Sequence, residues 1–299
     1  MKFAAIDIGT NAVRLLLSNV IEDGGPPLFK KEVLVRMPLR LGVDAFELGS
    51  ISDEKVDRLV ETMIGFKHLI RAYPAIDYLA VATSAMRVAE NGADVASVVD
   101  ERAGILFDII DGRTEAEVIY ANHIEDRIDP AKNYFYVDVG GGSTEISIIV
   151  GRDVIATSSF GIGTVRTLRS ASDPAEWDNM KKWLKTNTAD HHPIEGIGSG
   201  GNINKIFKLS RIKDGYPISY KRIKKIQKYL SSFTLEERIH QLRLRPDRAD
   251  VILPASDIYL SVMKWAGAKT MHVPQFGLSD GIVHVLYDKH RTRDGATPG

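Results

Sequence analysis

Two segments of this chain end an apolar run on a carboxylate and follow it at once with small residues. Residues 5–17 read Ala-Ile-Asp-Ile-Gly-Thr-Asn-Ala-Val-Arg-Leu-Leu-Leu, and residues 136–149 read Tyr-Val-Asp-Val-Gly-Gly-Gly-Ser-Thr-Glu-Ile-Ser-Ile-Ile. Each reads as a β-hairpin with a Gly turn, so one hairpin is used twice, once per half of the chain. A Gly-rich turn exposes backbone N–H groups with no side chain in the way, which suits phosphate oxygens. Gly9, Thr10 and Asn11 supply that turn in the first half; Gly140, Gly141, Gly142, Ser143 and Thr144 supply it in the second. Asp7 and Asp138 at the strand ends are carboxylates of the kind that hold hydrated Mg²⁺. Glu145, across the second turn from Asp138, reaches the same metal or the phosphates it bridges. Two such loops facing each other predict a phosphate-binding cleft between two domains.

Other polar residues fall at similar places. Gly198-Ser199-Gly200-Gly201-Asn202 is a third Gly-rich turn between a strand and a helix, and Thr83-Ser84-Ala85-Met86-Arg87 closes the strand Tyr78–Ala82. Asp111-Gly112-Arg113-Thr114-Glu115 opens a helix that runs through Asn122. Hydrolysing a phosphoanhydride needs a group that orients water in line with the leaving oxygen, and a carboxylate such as Glu115 serves. On residues alone, a first-turn acid that favours the helix dipole is the better reading of Glu115. Arg14, Arg87 and Arg166 follow loop motifs at a similar offset. Arginine clamps phosphate oxygens bidentately and neutralises developing charge, although a single Arg in such a turn is more often a surface ion pair. Neither Gly-x-Gly-x-x-Gly nor Gly-x₄-Gly-Lys-Ser/Thr occurs, so no Rossmann or Walker site is offered.

The elements that must hold these residues are legible in outline. Ser52 begins a helix with Asp53 and Glu54 in its first turn, Val56 to Ile70 recur at helical spacing, and Pro74 stops it. Strands and helices alternate through both halves, which implies α/β layers with ligands at strand ends. A long helix is expected from about Val251 to Ala266, a last helix from Gly277-Leu278-Ser279-Asp280-Gly281, and a loose tail over 291–299. At 299 residues, two domains are the default, with boundaries at 1–124 and 125–299 and the last helix packing back on the first domain.

Bulk properties remove several classes. Lys+Arg and Asp+Glu both total 39, so nothing global advertises nucleic acid or a membrane surface. With no Cys there are no disulfides, thiolate metal sites or Cys nucleophiles. No apolar run is long enough to span a bilayer and no secretory h-region precedes Asp7, so a cytoplasmic location is expected. Residues 205–228 carry nine Lys or Arg and one Asp, which reads equally as a solvated helix face or as a track for a polyanion. His191 and His192 show no metal-ligand spacing.

Taken together, the motifs resemble those of the exopolyphosphatase / guanosine pentaphosphate phosphohydrolase (Ppx/GppA) family, in its short two-domain form. They are Asp7-Ile8-Gly9-Thr10-Asn11 with Arg14, Arg40-Leu41-Gly42, Ala82-Thr83-Ser84-Ala85 with Arg87, and Asp111-Gly112-x-x-Glu115-Ala116. They continue with Asp138-x-Gly140-Gly141-Gly142-Ser143-Thr144-Glu145, Gly163-x-Val165-Arg166, Gly198-x-Gly200-Gly201, Arg245-Pro246-Asp247-Arg248-Ala249-Asp250 and Gly277-Leu278-x-Asp280-Gly281. The resemblance implies two actin-like (ribonuclease H-like) α/β domains, each with a mixed five-stranded sheet, flanking the cleft. It implies Mg²⁺-dependent removal of the terminal phosphate of inorganic polyphosphate, or of the 5′ phosphate of guanosine pentaphosphate. A sensor that binds these ligands without turnover, or a small-molecule kinase of the same superfamily, is the alternative. Glu115 takes the catalytic position, joined by Asp138, Glu145 and Arg87. Gly9, Thr10, Asn11, Arg14, Thr83, Ser84, Gly140, Gly141, Gly142, Ser143, Thr144, Arg166, Gly200 and Gly201 are expected at phosphate. Asp7, Asp138 and Glu145 are expected at the metal, and a homodimer is expected. The chain departs from the pattern at Ala12, Asp111, Gly161, Asn202 and Ser279; Asp111 places an extra carboxylate near Glu115, which would raise its pKa or recruit a second cation.

Overall fold

A computed structural model describes residues 1–122, 129–169 and 171–293. The chain divides into two units, one of Met1–Asn122 with Gly277–Gly299 and one of His123–Phe276. The domain boundary expected at 124/125 lies outside the described residues.

The first unit runs β1 (Lys2–Ile8), β2 (Val13–Ile21), β3 (Leu28–Met37), α1 (Leu41–Glu47), α2 (Asp53–Ala72), β4 (Asp77–Ala82), α3 (Ser84–Val88), α4 (Gly92–Ala103), β5 (Asp108–Ile109) and α5 (Gly112–Tyr120). Its sheet has the order β3-β2-β1-β4-β5. β1 pairs antiparallel with β2 and parallel with β4. As the central strand, β1 buries both faces, with Phe3, Ala4, Ala5, Ile6 and Ile8 fully enclosed. Val56, Leu59, Val60, Met63 and Phe66 form the buried stripe of α2, as their spacing predicts. Ser52 precedes that helix but makes no side-chain cap; its hydroxyl instead donates to Asp44.

The second unit runs β6 (Asn133–Val139), β7 (Thr144–Val150), β8 (Asp153–Phe160), α6 (Thr164–Leu168), α7 (Pro174–Thr188), β9 (Ile194–Ser199), α8 (Gly201–Ser210), β10 (Ile218–Ser219), α9 (Tyr220–Ser231), α10 (Leu235–His240), α11 (Pro246–Ala249), α12 (Ile252–Trp265) and β11 (Thr270–His272). Its sheet has the order β10-β11-β9-β6-β7-β8, six strands where five were expected. The addition is β10, whose two residues pair at the edge with Thr270 and Met271; a pair that short leaves no alternation to read in the sequence. Apart from β10, the order repeats that of the first sheet with the same strand directions, and both are the actin-like, ribonuclease H-like arrangement. α12 is the core helix of this unit, burying Ile252, Ala255, Ile258, Tyr259, Val262 and Met263.

After β11 the chain returns to the first unit as α13 (Leu278–Arg293). Residues 291–293 are therefore helical, not tail, and 294–299 lie outside the described residues. Ile282, Val283 and Leu286 bury its apolar face, and polar contacts fix its azimuth. Lys31 meets Asp280 at 2.7 Å, the Tyr287 hydroxyl donates to Glu22 at 2.6 Å, and His290 pairs with Asp77 at 3.0 Å. Among the described residues no helix is long and apolar enough to cross a membrane.

Candidate active site

The two hairpins are built alike down to individual hydrogen bonds. In the first, Asp7 lies opposite Arg14, Ile8 opposite Val13, and Gly9 N–H donates across the turn to Ala12 O at 3.1 Å. In the second, Asp138 lies opposite Glu145, Val139 opposite Thr144, and Gly140 N–H donates to Ser143 O at 3.0 Å. Each turn is then gripped by the segment that opens the next short helix. Gly42 N–H donates to Thr10 O at 2.9 Å and Arg40 N–H to Asn11 O at 3.2 Å. In the second unit Thr164 N–H donates to Gly140 O at 3.0 Å, while the N–H groups of Val165 and Arg166 converge on Gly141 O at 2.8 and 3.0 Å. The Arg166 side chain adds a bond to Gly142 O at 2.9 Å.

These carbonyl contacts decide which way the amides point. In a trans peptide the N–H is directed opposite to the carbonyl of the same unit. With the carbonyls of Gly140, Gly141 and Gly142 turned toward α6, the N–H groups of Gly141, Gly142 and Ser143 turn the other way. Successive amides presented like this form an anion-binding concavity. The first loop has the smaller version, the N–H groups of Asn11 and Ala12. Close approach is what makes Gly42 and Gly163 necessary: a Cβ on Gly42 would lie 2.1 Å from the Thr10 methyl, and one on Gly163 would lie 2.4 Å from Gly142 backbone atoms. Sequence reading noted both glycines without seeing that they do the same job.

Several expected phosphate contacts have other duties here. Thr144 is fully buried and its hydroxyl donates to Ile162 O at 2.6 Å, so it braces the loop and is withdrawn as a phosphate ligand. Arg14 bonds the carboxylate of Asp7 at 2.5 Å. Thr83 and Ser84 are buried at the end of β4, where Thr83 N–H donates to Ile8 O at 3.2 Å. Gly200, at φ +105°, precedes α8, and Gly201 O accepts from Arg248, a residue that sequence reading left without a role. Arg248 also donates to Asn202 Oδ1 at 3.3 Å.

Glu115 sits in the first turn of α5 and is 8% exposed. Its Oε2 lies 3.8 Å from Nη1 of Arg87, and that guanidinium is held by a 2.6 Å bond to Ile110 O. The resemblance's acid and its partner Arg are therefore together at adjacent strand ends of one sheet. Asp111 accepts from Thr114 N–H at 2.7 Å and is the N-cap of α5. That amide bond, and after it the Thr114 hydroxyl and the charge of Arg87, hold the Asp111 carboxyl below its usual value. The extra carboxylate thus orients the helix that carries Glu115. Glu117 turns away to pair with Arg113 at 3.0 Å.

Asp138 and Glu145 face each other across the β6–β7 ladder. Glu145 is 2% exposed, not a solvated strand residue, and accepts from the Ser159 hydroxyl at 2.8 Å. The Ser199 hydroxyl donates to Phe276 O at 2.9 Å and lies 3.4 Å from the Asp138 carboxylate. Below it the Tyr259 hydroxyl donates to Ser199 O; burial, and then the charge of Asp138, push that phenol well above its ordinary pKa, so the donor is permanent. Like charges directly opposite on a ladder repel. A cation would turn that repulsion into attraction, and two carboxylates are the protein share that Mg²⁺ takes when phosphates complete its shell. Asp138 and Glu145 fit the ion. Asp7, already neutralised by Arg14, fits less well. Among the described residues no cluster of three or more His, Cys, Asp or Glu gathers as a metal cage.

The chain is 23% identical to an exopolyphosphatase 1 of Mycobacterium bovis, over 95% of this chain and 87% of that one. It is also 23% identical to a guanosine-5′-triphosphate,3′-diphosphate pyrophosphatase of Photobacterium profundum, over 98% of this chain but only 60% of the longer protein. Among solved structures, an exopolyphosphatase from Cytophaga hutchinsonii superimposes with a TM-score of 0.83 at 22% identity, covering 97% and 98% of the two chains. The Aquifex aeolicus Ppx/GppA family member superimposes with 0.76 at 25% identity, with the same coverage. Residues 26–290 match the Ppx/GppA phosphatase family, and the chain belongs to that family.

Proposed function

We propose that this protein is a Mg²⁺-dependent phosphohydrolase that removes the terminal phosphate of inorganic polyphosphate or the 5′ phosphate of guanosine pentaphosphate. The observation that carries the reading is the row of amides at Gly141, Gly142 and Ser143, aimed away from α6 by the carbonyl bonds that fix the loop. Such a row binds phosphate oxygens and repels nothing a polyphosphate brings. The names of the relatives point to the same substrates.

The chemistry assigned to the residues is simple. Glu115 accepts the proton of a water and holds it in line with the leaving oxygen. Arg87, already placed by Ile110 O, faces charge that grows on the transferred phosphoryl group. Asp138 and Glu145 would hold Mg²⁺, which would supply positive charge against the phosphate oxygens. Arg14, oriented by Asp7, and the loop amides bind the ground state and the transition state alike, so they serve affinity more than rate.

Phosphate release from polyphosphate and from guanosine pentaphosphate, measured side by side with Mg²⁺ and with chelator, tests the proposal. Release from at least one substrate, lost on chelation, is expected. Binding without release from either would overturn it in favour of a sensor. Release that requires ATP and an acceptor would indicate a kinase.

A further inference from the structure

Register places four polar residues in one row across the sheet of the second unit. Ser199 of β9 pairs with Asp138 of β6, Asp138 with Glu145 of β7, and Glu145 with Ser159 of β8. Residues paired across a ladder share a face, so the two carboxylates are bracketed by two serines. The brackets are not equivalent. A serine hydroxyl has one proton to give, and Ser199 spends its own on Phe276 O at 2.9 Å. Ser159 gives its proton to Glu145 Oε1 at 2.8 Å.

β8 is the edge strand of its sheet, and Ser159 is exposed on it. Its neighbours nevertheless fix it. Two residues back on the same face, Thr157 donates to the Ser147 hydroxyl at 3.0 Å. One residue on, Phe160 is buried with its ring edge-on to Trp183 at 5.7 Å, and Gly161 N–H donates to Glu176 at 2.9 Å. The only register shift of this ladder falls between Ile148 and Ile149, so Thr144 to Ser147 stay in regular step with β8.

Carboxylates directly opposite each other repel, and a glutamate has the rotamer freedom to swing away from its neighbour. Ser159 stands on the far side of Glu145 from Asp138, so its bond draws one carboxylate oxygen toward β8 and restrains that swing. We propose that Ser159 is a positioning residue, which fixes the Glu145 carboxylate before a divalent cation arrives. The proposal rests on the reading of Asp138 and Glu145 as the Mg²⁺ pair. A carboxylate that is already held has less freedom to lose on binding. Loss of such a hydrogen bond to a metal-binding side chain costs about 10–100-fold in metal affinity.

Mn²⁺ binding to the full chain without substrate, followed by loss of the free-ion electron paramagnetic resonance signal, tests this apart from turnover. Ser159→Ala is expected to bind Mn²⁺ at least about tenfold more weakly than wild type. Ser159→Thr, which returns the hydroxyl, should stay within about threefold of wild type. Because Ser159 is exposed, thermal midpoints should be the same for all three proteins. In a Glu145→Gln background, adding Ser159→Ala should change Mn²⁺ affinity no further, since the two residues act as one unit. Wild-type affinity in Ser159→Ala, an equal loss in Ser159→Thr, or a full additional loss on top of Glu145→Gln would overturn the positioning role and leave the metal pair standing. No Mn²⁺ binding by wild type, or binding indifferent to Asp138→Asn, would instead overturn the metal pair on which the proposal rests.

Discussion

At the scale of single residues, the two hairpins differ in what stands opposite the strand-end Asp. Asp7 meets Arg14 and is neutralised, whereas Asp138 meets Glu145 and doubles the negative charge. The same backbone therefore carries an ion pair in one hairpin and two facing carboxylates in the other. Asp138→Asn is expected to raise the Mg²⁺ concentration for half-maximal activity by at least about tenfold, because one hard ligand of two is lost. Mg²⁺ titrations of wild type and variant that superimpose after scaling would assign Asp138 to the fold instead. The hydroxyl of Thr144 shows where reading by residue type misleads. A Thr inside a Gly-rich turn looks like a phosphate ligand, and only the pairing of β7 with β8 shows its side chain enclosed and spent on Ile162.

At the scale of elements, short helices hold the loops. Gly163 lets the start of α6 lie against Gly141 and Gly142, so Gly163→Ala must push the phosphate loop out of place. Loss of about 100-fold or more in kcat/KM is expected, with far-UV circular dichroism unchanged, since displacements near 1 Å cost that much in a positioned site. Wild-type kinetics in this variant would remove the loop from the site. α9 is a second case. Ile223, Ile226 and Leu230 bury one face, and Lys221, Lys224, Lys225 and Lys228 lie exposed at helical spacing on the other. Arg222 is not part of that stripe, because its guanidinium donates to Ser210 O at 2.7 Å. If the stripe guides a polyanion, changing the four lysines to Gln weakens long-chain polyphosphate and flattens its salt dependence, by about 0.7 in log–log slope per cation engaged. Tripolyphosphate is unaffected. Parallel curves of KM against chain length for wild type and variant would leave α9 a solvated face.

Asp44 illustrates an element tied down by charge. Burial alone would raise its pKa, but hydrogen bonds from Lys55 and Ser52 outweigh it and bring the carboxyl below 3.8. A depressed folded pKa gives stability that is complete above the unfolded value and vanishes as pH falls through the folded one. Asp44→Asn should therefore cost about 1–3 kcal/mol at pH 7, and the difference in stability should begin to shrink as pH falls below the ordinary carboxyl value and close only below the depressed folded one. Denaturant titrations of both proteins across that range measure it; a gap that persists at low pH would mean packing, not charge, is what the substitution removes.

At the scale of the whole molecule, duplication explains how much could be read in advance. Two hairpins with one pattern, strands alternating with helices, and a helix opening just before Glu115 are local features, and local features survive in sequence. What did not show was long-range: the two-residue β10, Arg248 on Gly201, and the shared task of Gly42 and Gly163. Each depends on which surfaces meet, and no spacing encodes that. One carboxylate separates hydrolysis from mere binding, since the loop amides, the arginines and the facing carboxylates would equally serve a protein that only binds. Comparing kcat with polyphosphate affinity in wild type and Glu115→Gln is the most direct test. The variant is expected to lose turnover by at least about 1,000-fold while keeping its affinity within about threefold, because a water-orienting carboxylate acts on the transition state alone. Substantial residual kcat in Glu115→Gln, with wild-type affinity, would contradict the assignment of Glu115 as the base.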